Sequence, residues 1–389
     1  MAVSKIPKGK IQSSKARRKK IPRVLDLRGR VLKLRSLLSD KLKKKSDKIL
    51  SPTSLHRSLA NPIIEPISNQ YWESKATFNP AAVYADGKVH LIYRAIGEGD
   101  VSMLGYASSK DGFTIDKRSA RPVYFQNKIF SPDRTPLPVS YSSGGGWNGG
   151  CEDPRLTKIG NRIYMLYTSF DGWSAIRIAL TSISFEDFIN QRWHWNKPVF
   201  ISPPGTINKN WVLFPEKIKG KFAILHGISP YIGIDYVRSL TELDGTKYIK
   251  SAVPTGKGNA GTWDTSLRGV GPAPIKTKYG WLILYHAMDV RDPNRYKLGA
   301  MILDLKEPTK IVTRASAPIL EPDEWYENEG FKAGVVYACG AAVVDGKLFV
   351  YYGGADKVVC VATADLDLFL NELMSLHSPK ITRSPLINK

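Results

Sequence analysis

Asn79, Glu152, Asp153, Arg155, Glu216 and Lys217 each stand shortly before a turn glycine, and Tyr93, Arg94, His226, His286, Tyr352 and Asp356 shortly after one. Carboxylates, cations and aromatic rings brought to one pocket suit a sugar. Rings stack on the pyranose, charged groups hydrogen-bond its hydroxyls, and a carboxyl can serve as acid or base at a glycosidic bond. Each residue also has a structural reading. Asp153-Pro154 can start a turn through its own backbone, and a single His226 or His286 can be a satisfied core histidine. Trp72, Trp147, Trp263 and Trp325 read as packing residues. The Gly144 to Gly150 run lacks the Gly-Lys-Ser/Thr ending of a phosphate cradle and reads as a loop.

The elements that would position these groups form a degenerate repeat. Five times the chain shows an apolar strand, a tight polar turn, a second strand ending in an aromatic residue or His, and a small-residue third strand. The copies begin at AAVYADGKVHLIYRA, PRLTKIGNRIYMLYTS, EKIKGKFAILHG, APIKTKYGWLILYHA and AAVVDGKLFVYYGG. Their turn glycines are Gly87, Gly160, Gly220, Gly280 and Gly346, at spacings of 73, 60, 60 and 66 residues. One such unit cannot bury both faces, whereas radial stacking does so and leaves only short edges. The expected fold is all-β: a five-bladed β-propeller over residues 61–389, closed by a short C-terminal helix within 365–376. A β-sandwich lacks this long-range self-similarity.

Residues 1–60 form a separate basic extension. The formal charge is +22, and residues 1–50 alone carry +15, so the folded part is only mildly basic. Leucines and valines among the cations of residues 24–50 are compatible with a partly helical amphipathic segment. Contact with an anionic surface is one reading of it, and a solvated appendage is the favoured one. The three cysteines, Cys151, Cys339 and Cys360, show no paired spacing, and no His-x-x-x-His is present, so neither a disulfide framework nor a metal site is expected. No apolar run reaches membrane-spanning length and no secretory leader is visible, so a cytoplasmic location is expected.

Gly150-Cys151-Glu152-Asp153-Pro154-Arg155, Leu213-Phe214-Pro215-Glu216-Lys217, Gly271-Pro272-Ala273-Pro274-Ile275-Lys276-Thr277, Tyr296-Lys297-Leu298-Gly299-Ala300 and Tyr352-Gly353-Gly354-Ala355-Asp356 resemble, in order, the motif set of glycoside hydrolase family 130. That family comprises β-mannoside phosphorylases and β-mannosidases. The resemblance runs from about residue 61 to 370. It implies a five-bladed propeller and an inverting single displacement. Asp153 would be the general acid, protonating the glycosidic oxygen through the mannosyl 3-hydroxyl. Asn79, Arg94, Arg155, Asp356 and Tyr296 would bind substrate.

The nucleophile decides the reaction. A phosphorylase needs cations at the anomeric face, and a hydrolase needs a second carboxylate to activate water. Of three cation positions in the phosphorylases, the first is Lys209 here, the second is Gly227 and the third is His286. Replacing a guanidinium by Gly removes roughly 1.5 to 3 kcal/mol of charged hydrogen bonding, on the order of a hundredfold in affinity. Arg268 and Lys217 remain as further anion-binding candidates. The expectation is therefore hydrolysis of β-mannosidic linkages in manno-oligosaccharides, with Glu216 or Asp264 as base. The alternatives are phosphorolysis releasing mannose 1-phosphate and a non-catalytic sugar-binding propeller. No cofactor is expected apart from inorganic phosphate as co-substrate in the phosphorolytic case, and a homo-oligomer is compatible with the sequence.

Overall fold

The computed structural model describes residues 55–126, 149–172, 176–250 and 262–375. The basic tail through residue 54 and the glycine-rich run up to residue 148, with Trp147, lie outside the described residues. The fold is mostly β. In chain order the strands are β1 (His56–Arg57), β2 (Ala76–Ala85), β3 (Lys88–Ile96), β4 (Ser102–Ser109), β5 (Lys117–Arg118), β6 (Gly150–Ile159), β7 (Arg162–Phe170) and β8 (Arg177–Ser184). A short helix α1 (Phe185–Ile189) follows, then β9 (Val199–Phe200), β10 (Val212–Leu213), β11 (Phe222–Gly227) and β12 (Gly233–Val237). The remainder comprises β13 (Ser266–Val270), β14 (Ile275–Thr277), β15 (Gly280–Asp289), β16 (Asp292–Leu303), β17 (Ile311–Arg314), β18 (Val336–Val344), β19 (Lys347–Gly354), β20 (Val358–Asp365) and helix α2 (Leu366–Ser375).

Pairing is antiparallel between sequence neighbours: β2-β3-β4, β6-β7-β8, β10-β11-β12, β13-β15-β16-β17 and β18-β19-β20. The first two groups touch through one parallel pair, Ser102 with Gly150. The turns explain the hairpins. Asp86-Gly87 and Asp345-Gly346 both lie at positive φ, the backbone twist that a two-residue hairpin turn demands.

The middle strand of each group is apolar on both faces, because each face enters a different core. In β15, Trp281, Ile283 and Tyr285 pack with Val212 and Leu225, while Leu282 and Leu284 pack with Val350 and Tyr352. In β19, Phe349 and Tyr351 pack with Leu91 and Tyr93 of β3. In β3, Ile92 packs with Ile163 and Met165 of β7, whose Leu166 packs with Ile224 of β11. Each core thus joins consecutive groups, and the core of β3 and β19 joins the last group to the first. Helix α2 covers one core with Phe369, Leu370 and Leu373.

The sheet structure begins before residue 61. His56 pairs with Thr363 and Arg57 with Ala362, so β1 supplies the outer strand of the last group. The boundary expected at residue 60 is corrected accordingly: Arg57 is anchored by the buried Glu327, and residues 55–60 belong to the folded unit.

Candidate active site

Two bulges aim the central polar groups. The β2–β3 register shifts between Phe78 and Ala81, and the β6–β7 register between Glu152 and Arg155. The residues inside them, Asn79 and Asp153, have φ of 47° and 49° and each precedes a proline. A bulge of this kind redirects a side chain out of the pleat, and Asn and Asp tolerate the left-handed backbone better than most residues. The two side chains meet: Asn79 Nδ2 donates to Asp153 Oδ1 at 2.8 Å. A Cβ on Gly353 would lie 2.2 Å from Asn79 Oδ1, so only glycine lets β19 pass this close.

Arg94, on β3 opposite Phe78, is buried between two carboxylates. Its Nη1 donates to Asp153 Oδ1 at 3.2 Å, its Nη2 lies 3.2 Å from Glu152 Oε1, and its Nε donates to Ser102 Oγ at 3.0 Å. Burial acts to raise the Asp153 carboxyl, but Arg94, Arg155, Asn79 and Lys209 outweigh it and hold it below the usual aspartate range. Glu152 goes the other way. Burial, helped by Asp153 and Asp356, pushes it up to about 7 against Arg94 and Lys209. Asp356, buried and itself left-handed at φ 52°, is raised by burial against the attraction of Lys332 and Arg94.

Around this centre lie cations from three further groups of strands. Lys209 is half-buried. Its loss of solvent lowers its pKa, and Arg94 and Lys332 lower it further, against the pull of Glu152 and Asp153. Arg268 Nε donates to the Tyr296 hydroxyl at 2.6 Å, and Lys332 Nζ sits 4.3 Å from the centre of the same ring.

Arg155, expected to bind substrate, is instead committed to the protein. Its guanidinium donates to Asp153 O at 2.7 Å, Gly271 O at 3.0 Å, Val270 O at 3.3 Å and Asn210 Oδ1 at 2.8 Å. It fixes the bulge carrying Asp153 against β13. His286, expected as a phosphate-binding cation, is neutral. Burial and Arg155 lower its pKa to about 3. Its Nε2 accepts from the Ala338 N–H at 3.0 Å, which leaves the ring proton on Nδ1. That Nδ1 has no hydrogen-bond partner among the described residues, and the ring stacks on Tyr337 at 3.9 Å.

Both candidate bases are corrected. Asn79 and Glu152 each stand eight residues before their turn glycines, Gly87 and Gly160, but Glu216 stands four before Gly220. At about 3.3 Å per residue it lies about 13 Å nearer the turn end of its hairpin. There it is exposed and paired with Lys276 at 2.6 Å. Lys217, also exposed, lies 4.6 Å from the Phe222 ring at the same end, away from the anion site expected of it. Asp264 is buried and fully engaged by Tyr285, Arg314 and Thr262.

The sequence reading missed Asn210, Lys332 and Tyr337. Tyr337 donates its hydroxyl to Asn210 Oδ1 at 2.6 Å, and Asn210 also receives Arg155, so all three tie Asp153's surroundings to the last group of strands. Asn210, at φ 63° directly after Lys209, carried a local signal; Lys332 and Tyr337 carried none. Among the described residues no cluster of three His, Cys, Asp or Glu side chains is arranged to hold a metal ion. No helix among them is long and apolar enough to cross a membrane.

Such a constellation, one carboxyl held between an arginine and an amide with Lys209 facing it, is that of an enzyme acting on glycosides. The family of the beta-1,4-mannooligosaccharide phosphorylases matches residues 55–375, and the chain belongs to it, glycoside hydrolase family 130. A 1,2-beta-oligomannan phosphorylase of Thermoanaerobacter sp. (strain X514) is 38% identical over 319 residues, covering 80% of this chain and 97% of that protein. A beta-1,2-mannobiose phosphorylase of the same organism is 35% identical over 324 residues, covering 80% and 97%. A solved structure from work on glycoside hydrolases that target beta-1,2 mannosidic linkages, within the same family of mannoside phosphorylases, superposes with a TM-score of 0.64 at 25% identity, covering 82% and 94%. The expectation of hydrolysis is overturned by these relatives: the two named proteins, 38% and 35% identical to this one, are both phosphorylases. The absence of an arginine at Gly227 does not decide the reaction, since Arg268 and Lys332 place two further cations about Tyr296.

Proposed function

We propose that this protein is an inverting β-mannoside phosphorylase that transfers the terminal mannosyl group of β-1,2-linked manno-oligosaccharides to inorganic phosphate. The five antiparallel groups are the blades of a five-bladed propeller, and the site is the mouth of its central channel. The ring of shared cores, with the last group packed on the first, supports that architecture.

Asp153 is the general acid. A phosphate oxygen forms a bond to C1 as the glycosidic C1–O bond breaks, and the proton for the leaving oxygen comes from Asp153 through the mannosyl 3-hydroxyl. Inversion of a β-mannoside gives α-mannose 1-phosphate. Asn79, Arg94 and Asp356 hold the mannosyl ring, while Arg155 keeps the Asp153 bulge in place. Phosphate is held by Lys209, Arg268, Lys332 and the Nδ1–H of His286, which can donate although it carries no charge. No organic cofactor is needed, because the phosphate is the second substrate. The observation that carries the reading is that Lys209 faces Asp153 and Glu152 while Lys332 faces Lys209 and Asp356, whereas Glu216 and Asp264, the candidate water-activating bases, are both engaged elsewhere. The choice of the β-1,2 linkage is supported by the two relatives named above.

Initial rates measured on β-1,2- and β-1,4-mannobiose across a range of phosphate concentrations test it. Turnover should saturate with phosphate and favour the β-1,2 substrate. A rate indifferent to phosphate would exclude the assignment.

A further inference from the structure

Asp153 is the acid in the mechanism above, yet its surroundings hold it ionised. We propose that Glu152 is the proton-holding partner of Asp153: the two carboxyls, bridged by the Arg94 guanidinium, carry one proton between them, and its loss from the pair ends turnover. This rests on the phosphorylase reading only in the use made of the proton.

The geometry is that of two carboxyls sharing one guanidinium. Arg94 spans both carboxyls at 3.2 Å each, and both Arg94 and Glu152 are 1% exposed. Arg94 Nη2 and Glu152 Oε1 are close enough for an ion pair, but neither has a hydrogen-bond partner among the described residues. Thr168, directly opposite Glu152 in the β6–β7 register, also has a buried hydroxyl without one. An ionised Glu152 would leave a buried carboxylate oxygen without a donor, whereas a protonated one is uncharged and needs less.

The charges facing Glu152 come from four elements. Arg94 on β3 and Lys209 ahead of β10 favour ionisation, while Asp153 on its own strand and Asp356 after β19 oppose it. The Cys151 thiol beside it is held protonated by burial. Three carboxyls thus share this pocket with Arg94 and the half-buried, desolvated Lys209, while Arg155 acts on Asp153 and Lys332 on Asp356, which leaves Glu152 the carboxyl with the least cationic support and the natural holder of a proton. Burial pushes the Glu152 midpoint up to about 7, where a general acid works at neutral pH. Carboxyls coupled this closely titrate as a unit.

In the resting enzyme the proton sits on Glu152 and Arg94 serves Asp153. When sugar displaces solvent from Asp153, its neutral form is favoured, the proton passes to it, and Arg94 turns its charge to the newly ionised Glu152. After donation to the leaving oxygen, the phosphate hydroxyl carried into the product returns a proton to the pair. Below the midpoint the pair is loaded; as pH rises through it, the proton is lost and turnover falls.

Two measurements test this. In Glu152→Gln the amide cannot load the pair, so the rate at neutral pH should fall at least about tenfold and the alkaline limb of kcat/KM should move at least about one unit to the acid side. Glu152→Asp should keep a limb near neutrality. Infrared spectroscopy of the substrate-free wild type should show a protonated-carboxyl C=O band at about pH 6 that disappears by about pH 8.5 and is absent in Glu152→Gln. An unchanged limb in Glu152→Gln, or no such band in the wild type, would overturn the proposal. The band needs no turnover, so it separates this proposal from the phosphorylase reading, which fails if the wild type makes no mannose 1-phosphate.

Discussion

Tyr285 donates its hydroxyl to Asp264 Oδ2 at 2.7 Å, and Arg314 closes on both, its Nε donating to the Tyr285 hydroxyl at 3.0 Å and its Nη2 paired with the same carboxylate. The arrangement recurs. Tyr93 donates to Glu73 at 2.8 Å, with Arg118 bonded to both, and Tyr352 donates to Glu327 at 2.8 Å, with Arg57 on the same carboxylate. Each acid follows an aromatic residue, Trp72, Trp263 or Tyr326, and the two tryptophans stack on their tyrosines at 6.3 and 6.1 Å. Three groups of strands thus pin the end of a middle strand to an outer-strand arginine. This repetition makes Asp264 a structural carboxylate.

Asp264→Asn should therefore lower the melting temperature while the folded enzyme keeps its kcat. Breaking a buried pair on one side costs about 3 to 5 kcal/mol. Thermal unfolding followed alongside kcat would distinguish this from the loss of a base, which would lower kcat at unchanged stability. Glu216→Gln should change neither, because its partner is an exposed lysine and such pairs contribute about 1 kcal/mol or less.

Arg57 makes the same kind of clasp from the start of the fold, its Nε donating to Glu327 at 2.7 Å. Arg57→Ala should destabilise by about 3 to 5 kcal/mol, since Glu327 is left buried and short of a cation. Removal of residues 1–60 should do more, whereas removal of residues 1–50 should leave turnover nearly unchanged. Denaturant midpoints of the three proteins check the order.

Asp153→Asn should reduce phosphorolysis by about a thousandfold, within the range that general acid catalysis contributes, while manno-oligosaccharide binding survives. The amide keeps the size of the side chain but has no proton to give. Isothermal titration with the sugar and single-turnover rates separate the two effects.

Lys332→Ala should raise KM for phosphate about tenfold, equivalent to about 1.4 kcal/mol, with a smaller change in kcat. Lys332→Arg should restore most of it. Equal losses in KM for sugar and phosphate would place Lys332 outside the anion site.

Much of this was legible in the sequence because it is local. Asp86-Gly87 and Asp345-Gly346 announce their hairpins, the continuous apolar middle strands announce two buried faces, and Asn79-Pro80 and Asp153-Pro154 mark the bulges. Glu216 misled for a reason also on the page: its distance from Gly220 is half that of Asn79 from Gly87, and counting from the turn would have removed it. Asp264 could not be judged that way, since Tyr285 and Arg314, which engage its Oδ2, lie 21 and 50 residues further along the chain. Lys332 sits outside the repeated unit, so no alignment of the copies reaches it. The same gap tilted the reading to hydrolysis, because cations were counted only at matched positions.

The central claim is that phosphate, and not water, takes the mannosyl group. Phosphorus-31 NMR of the wild-type enzyme with β-1,2-mannobiose and inorganic phosphate tests it most directly. The account predicts an α-mannose 1-phosphate resonance growing in step with one equivalent of free mannose, and no turnover without phosphate. Two equivalents of mannose, released at the same rate with or without phosphate and with no phosphomonoester signal, would contradict it.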